Sequence, residues 1–216
     1  MKTIAAIFVV VGVCAAAPTT APVSGMKVVY SEDFQDVKGE NAPSDMMVLG
    51  GTFKIAGEEG NRFLRSAGDP IETTGLLVGP ENPNATAIHA RIRSGSTGKR
   101  TPEFGVGLGG AGGYVLWVRP AVRQVQLVCD EEVKGTAEYE WHSGEWTNLR
   151  LAMRRVGDRK WRVEARAWAW GKAEPGEWQI SVVQTEPPPT GRASVWGVPF
   201  SEKAIDFDDV VVWGAE

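Results

Sequence analysis

Two tryptophans spaced two residues apart, Trp168 and Trp170, close a stretch that also carries Arg150, Arg154, Arg162, Glu164 and Arg166. A planar indole stacks on the apolar face of a sugar ring, and a guanidinium forks onto hydroxyls, carboxylates or sulfates. His89, Arg91 and Arg93 alternate along an earlier stretch, and Trp117 and Arg119 along another, extending the same chemistry. Material for acid–base work is thinner. Glu138 and Glu140 put two carboxylates on one strand face, as glycoside hydrolysis requires, but acids beside a turn are usually solvated. His89 and His142 have no Ser or Cys partner in a recognisable setting, so triad chemistry has no support.

The elements that must hold these residues read as strands. From Trp146 to Trp170 the pattern has period two: Thr147, Leu149, Leu151 and Met153 face one way, as do Trp161, Val163, Ala165, Ala167 and Ala169. Asn148, Arg150, Ala152 and Arg154, with Arg162, Glu164, Arg166, Trp168 and Trp170, face the other. A helix would scatter the arginines around its circumference. The stretch is therefore a hairpin joined at Val156-Gly157-Asp158. Like charges directly opposite each other cost stability, so the expected register sets Arg154 against Glu164 and Arg150 against Trp168.

Elsewhere, strands are expected at 26–34, 52–56, 62–66, 73–78, 85–94, 104–108, 114–119, 123–130, 178–185, 192–198 and 204–213. Residues 35–49 read as loop and 131–145 as a linker strand and turn. Near the C-terminus, Phe207 and Val210 both look buried around Asp208-Asp209, which predicts a bulge. The Gly-rich run 109–113 is followed by no helix and no Lys-Ser/Thr pair, so a phosphate cradle is rejected. The 26 glycines and 9 tryptophans of the 216-residue chain suit an all-β sandwich or barrel.

Met1-Lys2-Thr3, the apolar run Ile4–Val13 and the small residues Cys14–Ala17 read as an export signal, with cleavage after Ala15 or Ala16. The run is about half of what spans a bilayer, so no permanent transmembrane span is expected. The domain division is thus a signal at 1–16, a flexible spacer at 17–25 and one domain at 26–216. The protein is expected to be secreted, periplasmic or on the cell surface. A lipid anchor through Cys14 is the weaker alternative, because Val13 fits a lipoprotein signal poorly. With the signal removed Cys129 stands alone, in an alternation that makes it a small buried hydrophobe. Asn84-Ala85-Thr86 is a weak match to a glycosylation sequon.

Charge is segregated along the chain. Residues 26–85 hold 5 basic and 10 acidic side chains, residues 86–172 hold 15 and 9, and residues 173–216 hold 2 and 8. The basic middle reads either as solvated strands or as a field that attracts anions. No dense basic run occurs and the overall pI is about 5.4, so nucleic acid is not an expected partner.

Three stretches, YSEDF, GEWTNLRLAM with GDRKWRVEARAW, and GRASVWGVPFSEKAIDFDDVVVWG, resemble the concanavalin A-like lectin/glucanase superfamily, and within it laminin-G-like and 3-keto-disaccharide hydrolase-type domains. The resemblance covers roughly residues 28–214 by order of elements. It implies a two-sheet antiparallel jelly-roll sandwich whose first and last strands pair. The E-x-D-x-x-E run of laminarinase-type relatives is absent, as are the Asn-Ser-Gly-like strand and Asn-Gly turn of the keto-disaccharide hydrolases. Related jelly rolls hold a structural calcium between first and last strands. Glu32, Asp33, Asp206, Asp208 and Asp209 are the available ligands, with Asp33, Asp208 and Asp209 the chosen set.

These readings converge on an exported, non-catalytic carbohydrate-binding or surface interaction module. The expected site is Trp168, Trp170, Arg150, Arg166, Glu164, Arg91, His89 and Trp117, with a polysaccharide or glycan partner that carries negative charge, such as a uronate or sulfate. The alternatives are a saccharide-processing hydrolase or lyase and a structural envelope protein. Trp141, Trp146, Trp161, Trp178, Trp196 and Trp213 are assigned to core or strand-end packing.

Overall fold

The computed structural model describes residues 25–70, 73–80 and 85–215. The expected signal, nearly all of the spacer, Cys14 and Asn84 lie outside the described residues. Fifteen strands follow in chain order: β1 Met26–Glu32, β2 Met47–Gly50, β3 Phe53–Glu58, β4 Asn61–Ser66, β5 Thr74–Val78, β6 Ala85–Ser94, β7 Glu103–Leu108, β8 Tyr114–Arg119, β9 Gln124–Cys129, β10 Glu132–Glu138, β11 Thr147–Gly157, β12 Lys160–Ala169, β13 Ile180–Gln184, β14 Ala193–Val198 and β15 Ile205–Ala215. One 3-10 turn, Pro120–Val122, is the only helical segment among the described residues.

The strands form two antiparallel sheets. The first runs β13-β12-β11-β6-β15-β4-β3, with β1 beside the C-terminal half of β15; the second runs β10-β9-β8-β7-β14-β5-β2. Period-two alternation builds the core between them. Ile88, Ala90 and Ile92 of β6, Leu149 and Leu151 of β11, and Val163, Ala165 and Ala167 of β12 meet Phe104, Val106, Leu116, Val118 and Val195 of the second sheet. Cys129 is free and buried, as its alternation predicts. The first and last strands pair, Val28 with Trp213 and Glu32 with Val210.

Two elements differ from expectation. β2 overlaps the end of the expected loop 35–49; its run Met47-Val48-Leu49 has no alternation, because all three side chains are exposed on an edge strand. β10 extends the linker into a full partner of β9.

The hairpin register also differs from expectation. Arg150 stands directly opposite Arg166, Arg154 opposite Arg162, and Asn148 opposite Trp168. The turn is Asp158-Arg159, with Arg159 at φ 48°, rather than Val156-Gly157-Asp158. A carboxylate from outside the hairpin removes the repulsion: Glu174, on the segment after β12, ion-pairs with Arg150 Nη1 at 2.9 Å and with Arg166. Arg150 also lies 5.0 Å over the Trp213 ring, and Arg166 lies 4.1 Å over Trp178. The expected Arg154–Glu164 bridge does form, at 3.0 Å, but diagonally across the pair.

Candidate functional site

Rows of side chains cross the outward face of the first sheet where strands are in register. One row is His89, Arg150 and Arg166; the next is Asp208, Arg91, Asn148 and Trp168; a third is Arg65, Asp206 and Arg93. Most of this face is closed to water. Arg150 is 1% exposed, His89 2%, Glu164 4%, Arg91 8% and Trp168 8%. The segment after β12 folds over it, placing Glu174 between the arginines and Trp178 against a satellite cluster of Trp213, Ala87 and Ala152. His89 packs on Trp168, ring centroids 5.6 Å apart, and burial drives its pKa down to about 3, helped by the neighbouring Arg150 charge. His89 is therefore a neutral packing residue. The open arginine–tryptophan face expected from the sequence is instead a second, polar core.

One part of the face stays open. At Asp208-Asp209 the register slips, so that Asp208 pairs with Arg91 but Val211 pairs with His89, and Asp209 takes φ 49°. This is the expected bulge, and it falls where β15 exchanges β4 for β1 along one edge. The two strands end on either side of a cleft of about 550 Å³. Its floor is Arg91 and Arg93, its walls are Trp146 and Trp170, and its rim carries Asp33, Glu58, Glu59 and Asp209. The Arg91 guanidinium lies between the two indoles, 4.9 Å from one centroid and 4.3 Å from the other. It also bonds Asp208 at 2.6 Å and Asp209 at 3.0 Å. Arg93 bonds Asp206 at 2.9 Å and Glu58 at 2.7 Å. Asp208 is fully buried; burial pushes its pKa up to about 6 against the pull of Arg91 and of Asn61 Nδ2, which donates to it at 2.8 Å. Asp209 is raised as well, by burial and, more weakly, by Asp33.

The outward face of the second sheet is built differently. Register places Gly75, Trp196, Gly105, Trp117 and Gln126 in one row across β5, β14, β7, β8 and β9. Both tryptophans are half-buried. The Trp196 indole lies flat on the sheet: a Cβ added to Gly75 would meet its ring at 2.5 Å, and one added to Gly107 would meet Nε1 at 3.2 Å. Nε1 donates to Ser194 Oγ at 2.8 Å, which fixes the ring. Arg119 pairs with Glu103 at 3.3 Å and donates to Gln126 at 2.8 Å. Trp117 thus sits on the opposite side of the molecule from Trp168 and Trp170, and the expected site is not one surface. Trp146, which lines the cleft, and Trp196, half-exposed on the second face, were both assigned to packing from the sequence. Of the alternating glycines 105 and 107, Gly107 is the one that lies against the Trp196 ring. Glu138 and Glu140 line a separate hollow beside Arg123.

No family model and no curated protein matches the chain. Solved structures do match by shape. The carbohydrate recognition domain of Emp46p in its metal-free form superposes with a TM-score of 0.56 at 14% identity, over 85% of this chain and 95% of that one. The exoplasmic/lumenal domain of VIP36, in a form bound to Ca²⁺ and Man2, gives 0.55 at 10% identity, over 89% and 90%. The CBM2 module of the evolved Dit of Lactobacillus casei BL23 phage J-1 gives 0.53 at 13% identity, over 88% and 96%. The fold is the concanavalin A-like jelly roll. Within this jelly roll the carboxylates expected to hold calcium do not make a cage. Asp208 is buried on Arg91 and Asn61, and Asp209 shares the same guanidinium. Calcium takes six to eight oxygens, and a guanidinium between two of the proposed ligands repels it. Among the described residues no three His, Cys, Asp or Glu side chains are grouped to hold a metal.

Proposed function

We propose that the chain is an exported, non-catalytic carbohydrate-binding module whose glycan lies across the outward face of the second sheet, on Trp196 and Trp117. The observation that carries this reading is the row Gly75–Trp196–Gly105–Trp117–Gln126. Adjacent strands stand about 4.8 Å apart, so the two tryptophan backbones, two strands apart, are separated by about 10 Å, close to one disaccharide unit. The flat Trp196 indole and the half-exposed Trp117 offer faces on which sugar rings stack, while Gln126, Arg119 and Glu103 supply hydroxyl partners at one end. Likeness to the recognition domains of Emp46p and VIP36 supports a sugar ligand, and the apolar run Ile4–Val13 supports export.

The ligand is neutral rather than acidic. Arg91, Arg93, Arg119, Arg150, Arg154 and Arg166 are all ion-paired, so these guanidiniums are not free to attract uronate or sulfate. A neutral-glycan array followed by calorimetry tests the site. Trp117→Ala and Trp196→Ala should each weaken binding by about tenfold, the loss of one stacking contact near 1.4 kcal/mol. Undiminished affinity in both variants overturns it.

A further inference from the structure

We infer that the cleft of the first sheet is a second binding site, separate from the tryptophan row, and that it takes a cationic amino sugar, a pyranose bearing a free protonated amine. Charge points to the sign of the ligand. Four carboxylates line the cleft against two guanidiniums, and both guanidiniums are already bonded to Asp206 or Asp208 beneath them. Glu59 and Asp33 stand exposed on the rim, and Glu59 has no cationic neighbour among the ion pairs. The field inside is negative, so an anion is repelled and an ammonium is drawn in.

Shape and surface point to a sugar. The cleft's volume of about 550 Å³ suits one or two pyranose rings. Trp170 is 36% exposed at the mouth, with one face on Arg91 and the rest open to a ligand. A metal ion needs no indole, and a simple polyamine needs no enclosed volume. An amino sugar uses both, its amine near Asp33 or Glu59 and its ring against Trp170.

Calorimetry on the full chain at low ionic strength and mildly acidic pH, where the amines are protonated, tests this with three probes: glucosamine oligomers, N-acetylglucosamine oligomers of equal length, and spermine. Glucosamine oligomers should bind at least about tenfold tighter than either of the others, and added salt should weaken them. Asp33→Asn combined with Glu59→Gln changes only exposed side chains, so folding is preserved; it should weaken the glucosamine oligomers about tenfold, as should Trp170→Ala. Trp117→Ala should leave this binding unchanged, which separates it from the proposal for the second sheet. Equal affinity for acetylated oligomers, equal affinity for spermine, or indifference to the double variant each overturns the inference.

Discussion

Across the first sheet the outward side chains are long, charged and locked together; across the second they are glycine, indole and amide. On the first face Arg91 holds two aspartates and two indoles at once, and Arg150 and Arg166 share Glu174. On the second, Trp196 rests on bare backbone at Gly75. A charged face becomes rigid only when every ion finds a partner, because an unpaired buried charge is expensive. An aromatic face on glycine needs no such network and keeps its upper surface available. One sandwich therefore carries a locked polar layer on one side and a half-exposed aromatic row on the other, and the charged layer opens where the β15 bulge interrupts it.

The sharpest way to break that contrast is to remove the hub. Arg91→Ala leaves Asp208 buried without its cation and should cost about 3–5 kcal/mol, seen as a lower urea midpoint. Trp117→Ala, on the half-exposed face, should cost much less. Equal losses would mean that the two faces are not built on different principles.

Acid titration sharpens the same point with smaller effects. His89 is depressed to about 3 from an ordinary 6.5, so the unfolded chain binds more protons in between, and stability falls as pH drops through that window. Asp208 is raised to about 6 from an ordinary 3.8, so the folded chain binds more protons between those values, and stability falls as pH rises through them. The two oppose each other between about pH 4 and 6. His89→Gln should make stability decline more steeply with rising pH there, and Asp208→Asn should make it rise. Denaturant curves at several pH values in which neither variant changes slope would show that neither group titrates as its burial requires.

Much of this layout was legible in the sequence, for a physical reason. Period-two alternation is forced by the core, so most of the strands, the inward sets of β6, β11 and β12 and the bulge at Asp208-Asp209 follow from apolar spacing, while the β1–β15 pairing is what the resemblance implied. The outward face was not legible in the same way, because alternation says which residues leave the core and not what then covers them. Trp168 and Arg150 point outward as read, yet the segment carrying Glu174 and Trp178 lies over them. Charge segregation is the trace of that cover: acidic flanks at Glu58, Glu174, Asp206 and Asp208 fold against the basic middle strands. Sheet membership was equally hidden, since Trp117 and Trp168 share a pattern but not a sheet.

A change beneath the second face tests whether its platform is as simple as it looks. Gly75→Ala puts a methyl group 2.5 Å from the Trp196 ring, so the indole must lift. The overpacking should cost about 1–3 kcal/mol and weaken glycan binding without touching any residue that faces the ligand. Tryptophan fluorescence should shift with it. Unaltered emission and affinity would place the ring elsewhere.

The smallest expected effect concerns the hairpin turn. Arg159 sits at φ 48° between Gly157 and Lys160, a conformation that glycine adopts without steric cost. Arg159→Gly relieves that strain but frees the unfolded chain, leaving a net gain of at most about 1 kcal/mol. In the register that would set Arg150 against Trp168, residue 159 would lie in a longer loop and the same substitution would only lose stability. A raised thermal midpoint with both ligand affinities unchanged therefore supports the turn at Asp158-Arg159, the pairing of Arg150 with Arg166, and the distance of this end of the hairpin from either site. A lowered midpoint argues for the other register, and with it an open face on the first sheet.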